Sequence, residues 1–239
     1  MTPTKFVKAV ADTSLPSTFN PWRDTCELHD RADAAARRRD NLERMLVAAI
    51  DARVETMWIA RDLGYRGGRR TGVPLTDEVH LGSAGALLGG IELARATEGP
   101  VVAERTAAII WRVLERVGQP VMLWNVFPFH PHEAGSQLSN RCHTRAERTA
   151  TWPLLQALVK MLRPKRIVAI GRDAQMALGE LGLPTTGVRH PSYGGQREFM
   201  EGIYSLYGVA DDADEEPGLP LADSYAAAAA AAAASCALA

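Results

Sequence analysis

Short apolar runs alternate with amphipathic segments through most of the chain. The runs at residues 56–60, 121–126 and 166–170, and a shorter one near Val188, have the length of buried strands. Between them, apolar residues recur at spacings of three and four, which predicts helices over residues 31–53, 102–117, 145–162, 173–181 and 196–207. Strands that alternate with helices favour parallel pairing through right-handed crossovers. The pattern therefore predicts a three-layer α/β/α sandwich with a central, mostly parallel four-stranded sheet.

The two ends of the chain differ in composition from this central part. Residues 1–30 contain Pro3, Pro16 and Pro21 among scattered polar residues, and they are predicted to be an irregular lead-in to an α/β domain at 31–208. From residue 209 the chain is acidic, and it then runs through nine consecutive alanines at 226–234. A short segment without a packing face is marginal in water. We therefore expect residues 209–239 to be a disordered tail.

Charge and cysteine content narrow the class of protein. All 27 lysines and arginines precede residue 209, whereas six of the 28 acidic residues follow it, so the body is mildly cationic and can accept a polyanionic partner. Three scattered cysteines without close spacing argue against a disulfide framework and against a four-cysteine metal site. The sequence shows neither an apolar run of membrane-spanning length nor a leader pattern. A cytoplasmic protein without a membrane partner is expected.

Polar stretches follow three of the predicted strands. ARDLGYRGG at residues 60–68 follows the first strand, NVFPFHPHEAG at 125–135 ends the second, and RHPSYGG at 189–195 follows the last. In an open parallel sheet, ligands bind beyond the carboxyl ends of the strands. We therefore expect Asp62, Asn125 and His190 to face a common ligand, with the glycines allowing close approach of backbone N–H groups.

Taken together, these segments resemble the uracil-DNA glycosylase superfamily. RHPSYGG is similar to its HPS segment, LWNVFP to its strand that ends in a base-reading Asn, and ARDLG occupies the place of its first motif. The order of segments through RPKRIVAIGRDA resembles the bacterial branches, and the resemblance covers residues 54–208. It implies a uracil-DNA glycosylase-like fold and DNA as the partner. No protein partner is predicted, and a monomer is the default expectation. The iron–sulfur branches need four cysteines, so no cofactor is implied for this chain.

The first motif departs from the family pattern at two informative places. In the branch that it resembles most, the motif reads Gly-Gln-Asp-Pro-Tyr, and residues 60–64 keep the carboxylate as Asp62. Gly64 stands where that branch has the Tyr ring that blocks substituents on pyrimidine C5. Leu75 stands where several branches have a Phe that stacks on the flipped base. The resemblance thus implies base-binding roles for Gly64 and Leu75, and a space beside Gly64 that is open to a C5 group.

Breaking a pyrimidine N-glycosidic bond places positive charge on the sugar and negative charge on the departing base. A positioned donor near O2 stabilises the leaving anion, and His190 is the predicted donor. Asp62 is predicted to orient a water toward C1′ and to stabilise the cationic sugar. Asn125 is predicted to read the base edge, and because its amide can be flipped it fits uracil or cytosine.

The base must also be flipped out of the duplex. Three residues beyond the HPS segment, namely Tyr193, Gln196 and Arg197, are predicted to fill the gap in the stack. Phosphate contacts are predicted for Arg66, Arg69, Arg70, Arg189 and Ser192, although the first three arginines also fit a solvated charge run.

The leading hypothesis is a monofunctional DNA glycosylase that excises a C5-modified pyrimidine and leaves an abasic site. Examples are hydroxymethylcytosine and its glucosylated form in phage DNA, which would imply antiviral defence. Uracil-DNA glycosylase activity in base-excision repair is the first alternative, and a non-catalytic nucleic-acid-binding protein on the same fold is the second. The motifs contain no catalytic lysine, so a covalent lyase step is not predicted. The histidines and cysteine at 130, 132, 142 and 143 lack the glutamate spacing of zinc enzymes, so no metal is predicted.

Overall fold

The computed structural model describes residues 1–210, and this range contains six strands and eight helices. The strands are β1 (Thr18–Phe19), β2 (Thr56–Ala60), β3 (Met122–Asn125), β4 (His130–Pro131), β5 (Arg166–Ile170) and β6 (Thr186–Val188). The helices are α1 (Pro3–Asp12), α2 (Ala34–Asp51), α3 (Gly68–Thr71), α4 (Leu81–Leu87), α5 (Arg105–Val117), α6 (Arg145–Leu162), α7 (Arg172–Glu180) and α8 (Gln196–Tyr207).

Four strands form the central sheet in the order β3-β2-β5-β6, and every pairing is parallel. The predicted four-stranded α/β sandwich is confirmed. Strands β2 and β5 are buried on both faces apart from their first residues, as expected for strands with helices on either side. Helix α1 contacts α2 and α6, whereas α5 contacts α8. The carboxyl ends of the four strands consequently lie along one edge of the sheet.

The prediction of an irregular lead-in at residues 1–30 is wrong for residues 3–12, which form α1 and complete the core. The side chain of Thr2 caps the helix by accepting from the N–H of Lys5, and Pro3 occupies the first turn, where its missing N–H costs nothing. Phe6 and Val10 of α1 are fully buried. In the sequence alone, a proline that begins a helix resembles one that prevents it.

Further elements in the long connections also escape the periodicity argument. Strand β1 pairs antiparallel with β4, with Phe19 opposite His130, and the short helices α3 and α4 lie between β2 and α5. Two- to seven-residue elements are too short to show a period. The predicted acidic and alanine-rich tail lies outside the described residues, apart from its first two positions. Among the residues described, no helix combines the length and apolarity needed to cross a bilayer.

Candidate active site

The loops after β2 and β3 are joined by backbone hydrogen bonds. Val126 N–H donates to the carbonyl of Ala60 at 2.8 Å, Phe127 N–H donates to Arg61 at 2.9 Å, and Leu63 N–H donates to Phe129 at 3.1 Å. The parallel pairing of the strands therefore continues past their ends. It brings the loop that carries Asp62 alongside Asn125, the last residue of β3.

Asn125 presents a buried amide without a protein partner. The residue is 1% exposed, and neither Nδ2 nor Oδ1 makes a hydrogen bond within the described chain. A buried amide without a partner costs free energy, and such groups are rare in folded proteins. The side chain thus offers one donor and one acceptor, side by side, at the carboxyl edge of the sheet.

The carboxylate of Asp62 is held by three donors that all contact Oδ2. Arg61 Nε lies 3.0 Å from this oxygen, and the backbone N–H and Nδ1 of His143 lie 3.3 and 3.2 Å from it. Both side chains of the His143–Asp62 pair are largely buried. Within residues 1–210 these contacts use one oxygen, so Oδ1 can bind a water or a ligand.

His190 is fixed in one tautomer by Ser192. The N–H of Ser192 donates to His190 Nδ1 at 3.2 Å, and the Ser192 hydroxyl contacts the same nitrogen. An Nδ1 that accepts from a backbone N–H carries no proton, so the neutral ring carries its proton on Nε2. Burial lowers the pKa of His190, and the charges of Arg61 and Arg189 lower it further against the opposing effect of Asp62. The ring is therefore a neutral Nε2–H donor near pH 7.

The same contacts add to the role predicted for Ser192. Its hydroxyl and its N–H both contact His190, so Ser192 also positions this ring, and its phosphate contact stays a prediction. Two glycines allow the surrounding chain to approach the histidine. A Cβ at Gly171 would lie 3.1 Å from the Cβ of His190, and one at Gly195 would lie 2.3 Å from its carbonyl oxygen.

The space beside Gly64 is not open, and this part of the sequence prediction is wrong. A Cβ at Gly64 would lie 2.7 Å from Oε1 of Glu104, and a Cβ at Gly67 would collide with Oε2. The two glycines leave space for the carboxyl group of Glu104, the residue that precedes α5. The position of the missing ring is thus occupied by a polar, ionisable side chain.

Glu104 is an unusual acid. Burial and, to a smaller extent, the neighbouring Asp77 raise its pKa to about 7, against the opposing charge of Arg66. Both hydrogen bonds of Glu104 in the described chain use its backbone: its N–H donates to Asp77 Oδ2 at 2.6 Å, and its carbonyl accepts from Ala108. The carboxyl group is therefore unpaired within that range and changes charge near neutral pH.

Arg69 and Arg70 do not reach the surface, contrary to the predicted phosphate contacts. Arg69 is 0% exposed, packs 3.9 Å above the ring of Phe19 and lies 3.2 Å from His130 Nδ1. Arg70 is buried and pairs with Glu78 at 3.2 Å. Arg69 thus joins α3 to the β1–β4 region and Arg70 joins it to the loop before α4, whereas the sequence shows only a run of charge.

The remaining predicted DNA contacts lie at the surface. Tyr193 is 99% exposed and has a left-handed backbone with φ of 53°. Arg66 is exposed and lies against the ring of Tyr65. Arg189 and Arg197 form exposed ion pairs with Glu198 and Glu201, which contribute little and can be exchanged for phosphates. The side chain of Gln196, the first residue of α8, is partly exposed.

Leu75 has a left-handed backbone with φ of 57° and packs partly buried against the core. A bulky residue rarely adopts this conformation, and such strain concentrates at functional sites. The observation keeps Leu75 as a candidate for the wall of the site.

Sequence reasoning misses His143 and Glu104. In the sequence, His143 stands out only as part of a zinc-like pattern, and among the described residues no cluster of His, Cys, Asp and Glu side chains could hold a metal ion. Glu104 lies 40 positions from Gly64, and no local pattern connects the two. The paired glycines at 64 and 67 are the one local signal, since they mark a place where something approaches the backbone closely.

Comparisons with known proteins agree with this architecture. A model of the uracil DNA glycosylase superfamily matches residues 50–205. Among solved structures, the chain is similar to the crystal structure of wild-type SMUG2 from Pedobacter heparinus, with a TM-score of 0.60 and 13% sequence identity. The match covers 87% of this chain and 97% of that chain, and at this identity it shows the fold. A search of the curated proteins gave no match.

Proposed function

The chain belongs to the uracil-DNA glycosylase superfamily, and we propose that it is a monofunctional DNA glycosylase that hydrolyses the bond between C1′ and a flipped pyrimidine. The family supplies DNA as the substrate class. The residues in the proposed roles are those that the three-segment resemblance indicates: Asp62, Asn125 and His190.

The observation that carries the proposal is the unpaired amide of Asn125. An Nδ2 donor and an Oδ1 acceptor on one buried side chain match the 4-position and N3 of a pyrimidine, in either of two flips. A flipped base would satisfy both groups together. A buried amide with a purely structural role would be expected to have hydrogen-bond partners within the protein.

Hydrolysis then follows from the charges around the bond. As the C1′–N1 bond breaks, its electron pair moves to the base, and Nε2–H of His190 donates to the growing charge on O2. Oδ1 of Asp62 orients a water toward C1′ and accepts a proton from it, while the carboxylate stabilises the cationic sugar. The water oxygen forms the new bond to C1′, the base anion takes up a proton from solvent, and Asp62 returns its proton to solvent. The products are an abasic site and the free base.

Two further groups support action on duplex DNA. Tyr193 projects from a strained turn directly after the His190 segment, where it can enter the space that the flipped base leaves. Arg66, Arg189 and Arg197 lie at the surface for phosphate contacts.

Leu75 is proposed to form an apolar wall against the face of the flipped base.

The proposed substrate is a pyrimidine with a small polar group at C5, such as hydroxymethylcytosine or hydroxymethyluracil. Oε1 of Glu104 lies 2.7 Å from the Cβ position of Gly64, so in this proposal a glucosylated base fits only if the Glu104 side chain moves away. Action on hydroxymethylcytosine would make the protein a defence factor against phage DNA that carries this base. Uracil repair is the second candidate. It is favoured by the Glu104 carboxyl group beside Gly64, because uracil has no substituent at C5 that needs this space.

The experiment is chromatographic identification of the free base released from a panel of duplexes. The duplexes carry uracil, thymine, hydroxymethyluracil, cytosine, hydroxymethylcytosine or glucosylated hydroxymethylcytosine at one position, and abasic sites are counted in parallel. We expect release of at least one pyrimidine with a matching number of abasic sites. Tight DNA binding without release of any base would instead identify a non-catalytic binding protein.

A further inference from the structure

Glu104 lies against Gly64 in the loop that carries Asp62, and the inference drawn from it rests on the proposed function. On a pyrimidine ring, N1 carries the sugar, O2 is next to it on one side, and N3 with the 4-position forms the pairing edge. Asp62, His190 and Asn125 account for these three positions. The edge that remains is C5–C6.

In the proposed arrangement, the loop after β2 lies along this remaining edge. It starts at Asp62, which acts at the sugar, and it is hydrogen-bonded to the segment that follows Asn125, which holds the pairing edge. If Asp62 and Asn125 act as proposed, Gly64, two residues beyond Asp62 on this loop, is left to face the C5–C6 edge. The side chain that lies against Gly64 is Glu104, with Oε1 2.7 Å from the Cβ position of this glycine.

The loop is shaped to receive this carboxyl group. Glycines at 64 and 67 each lack the Cβ that would collide with one of its two oxygens. Asp77 fixes the start of the side chain through the Glu104 N–H. Neither carboxyl oxygen has a hydrogen-bond partner among residues 1–210, so the group is positioned but its hydrogen-bonding capacity is unused.

The charges around Glu104 make it able to donate as well as accept. The charged groups that act on it are Asp77 from the loop before α4 and Arg66 from the loop after β2, and its pKa lies near 7 because of burial and Asp77. A neutral carboxyl donates one hydrogen bond and accepts others, whereas the ionised form only accepts. A hydroxyl group can pair with both forms.

We propose that the carboxyl group of Glu104 is the specificity determinant of this site and binds a hydroxyl-bearing substituent at C5 of the flipped pyrimidine. A C5 methyl group would bury a carboxyl against hydrocarbon, and a bare C5–H leaves the carboxyl unpaired. The site is therefore selective for hydroxymethylpyrimidines over both uracil and thymine.

The test is a comparison of single-turnover excision of hydroxymethyluracil, uracil and thymine from otherwise identical duplexes. The proteins are the wild type, Glu104→Gln, Glu104→Ala and the control Glu115→Gln, which changes an exposed glutamate of the adjoining α5. Glu104→Gln keeps the shape of the side chain but removes its O–H donor and its charge, so it is an intermediate variant and not a neutral one. Thermal unfolding checks that each variant is folded.

The wild type and Glu115→Gln should excise hydroxymethyluracil about 10-fold or more faster than uracil, the value of one good hydrogen bond. Glu104→Ala should lose most of this preference while it still releases uracil, and it should gain activity on thymine relative to the wild type. Glu104→Gln should fall between them. An unchanged hydroxymethyluracil-to-uracil ratio in both Glu104 variants, or a wild type without the preference, overturns the inference but leaves the glycosylase intact. A wild type that releases no base from any duplex overturns the proposed function itself.

Discussion

Nδ1 of His143 lies 3.2 Å from Oδ2 of Asp62, and the backbone N–H of His143 contacts the same oxygen at 3.3 Å. The imidazole packs against Phe127, with ring centroids 5.2 Å apart. His143 precedes α6 and is far from Asp62 in sequence, so the fold supplies a support for the carboxylate that the first motif does not contain. The contact fixes Oδ2, and in the proposed mechanism the other oxygen, Oδ1, binds the attacking water.

Replacing His143 should therefore slow base release without preventing DNA binding. The His143→Ala variant loses one hydrogen bond and the packing that orients Asp62, and we expect a roughly 10-fold lower single-turnover rate. His132→Ala is the matched control, since His132 bonds to the carbonyl of Glu133 and not to Asp62. A His143→Ala rate equal to that of the control would show that Asp62 is oriented by other groups.

The unpaired amide of Asn125 predicts a conflict between stability and activity. Leu has a similar volume and no polar atoms, so Asn125→Leu should raise the free energy of unfolding by about 1 to 3 kcal/mol while abolishing base release. Asn41 is the control, because it is also buried but its amide donates to the carbonyl of Ala94 and accepts from the Ala94 N–H, both at 2.8 Å. Asn41→Leu should destabilise the fold.

Urea unfolding of the two leucine variants measures this difference. If Asn125→Leu is destabilised as much as Asn41→Leu, the Asn125 amide has a structural role, which would contradict its proposed role as an unpaired group that binds the base.

Glu104 predicts a specific dependence of stability on pH. Its pKa is about 7 in the folded protein and 4.5 as its ordinary value. Between these values the folded chain holds a proton that the unfolded chain has released, so stability falls as pH rises through this window. Above about pH 8 the full cost is present, at most about 3 kcal/mol and reduced by water that reaches the partly exposed side chain.

Glu104→Gln cannot titrate at this position, so its stability relative to the wild type should increase between about pH 5 and pH 8. Denaturant unfolding at pH 5 and pH 8 measures the change in this stability difference. The titration of His190 occurs in both proteins, so it cancels when they are compared. A stability difference that is the same at both values would contradict the raised pKa.

Tyr193 predicts a difference between double- and single-stranded substrates. Aromatic stacking on a base is worth about 1 to 3 kcal/mol, so Tyr193→Ala should lower the excision rate on a duplex by roughly 10-fold or more and have a smaller effect on a single strand. Tyr193→Phe keeps the ring and should retain the rate. Because the side chain is almost fully exposed, neither change should alter the melting temperature. An equal loss of excision rate on the duplex and on the single strand would contradict a role of Tyr193 in base flipping.

The sequence predicts the sheet better than the surroundings of the site. Strands β2 and β5 and helices α6 and α8 begin and end where the pattern places them, because an apolar run or an amphipathic stripe is a local signal of burial. Helix α1 escapes the same reasoning, because the proline at its first position has the local appearance of a break.

The walls of the site cannot be derived from local patterns. Glycine at position 64 indicates the absence of a side chain but not what another segment places there, and Glu104 reaches it only through the packing of α5. Arg69 and Arg66 look alike in a charge run, yet Phe19 and His130 bury the first and leave the second at the surface. The three residues Asp62, Asn125 and His190 are easier to predict, because the carboxyl ends of parallel strands must share an edge.

The most direct test of the proposed chemistry is the single-turnover rate of free-base release by the wild type and by Asp62→Asn, measured on the best duplex of the panel with both proteins saturated by DNA. The amide keeps the shape and the Arg61 and His143 surroundings but cannot accept the proton of the attacking water. We expect a rate lower by about 10² to 10⁴-fold at unchanged DNA affinity. Release of base by Asp62→Asn at the wild-type rate would contradict the role of this carboxylate.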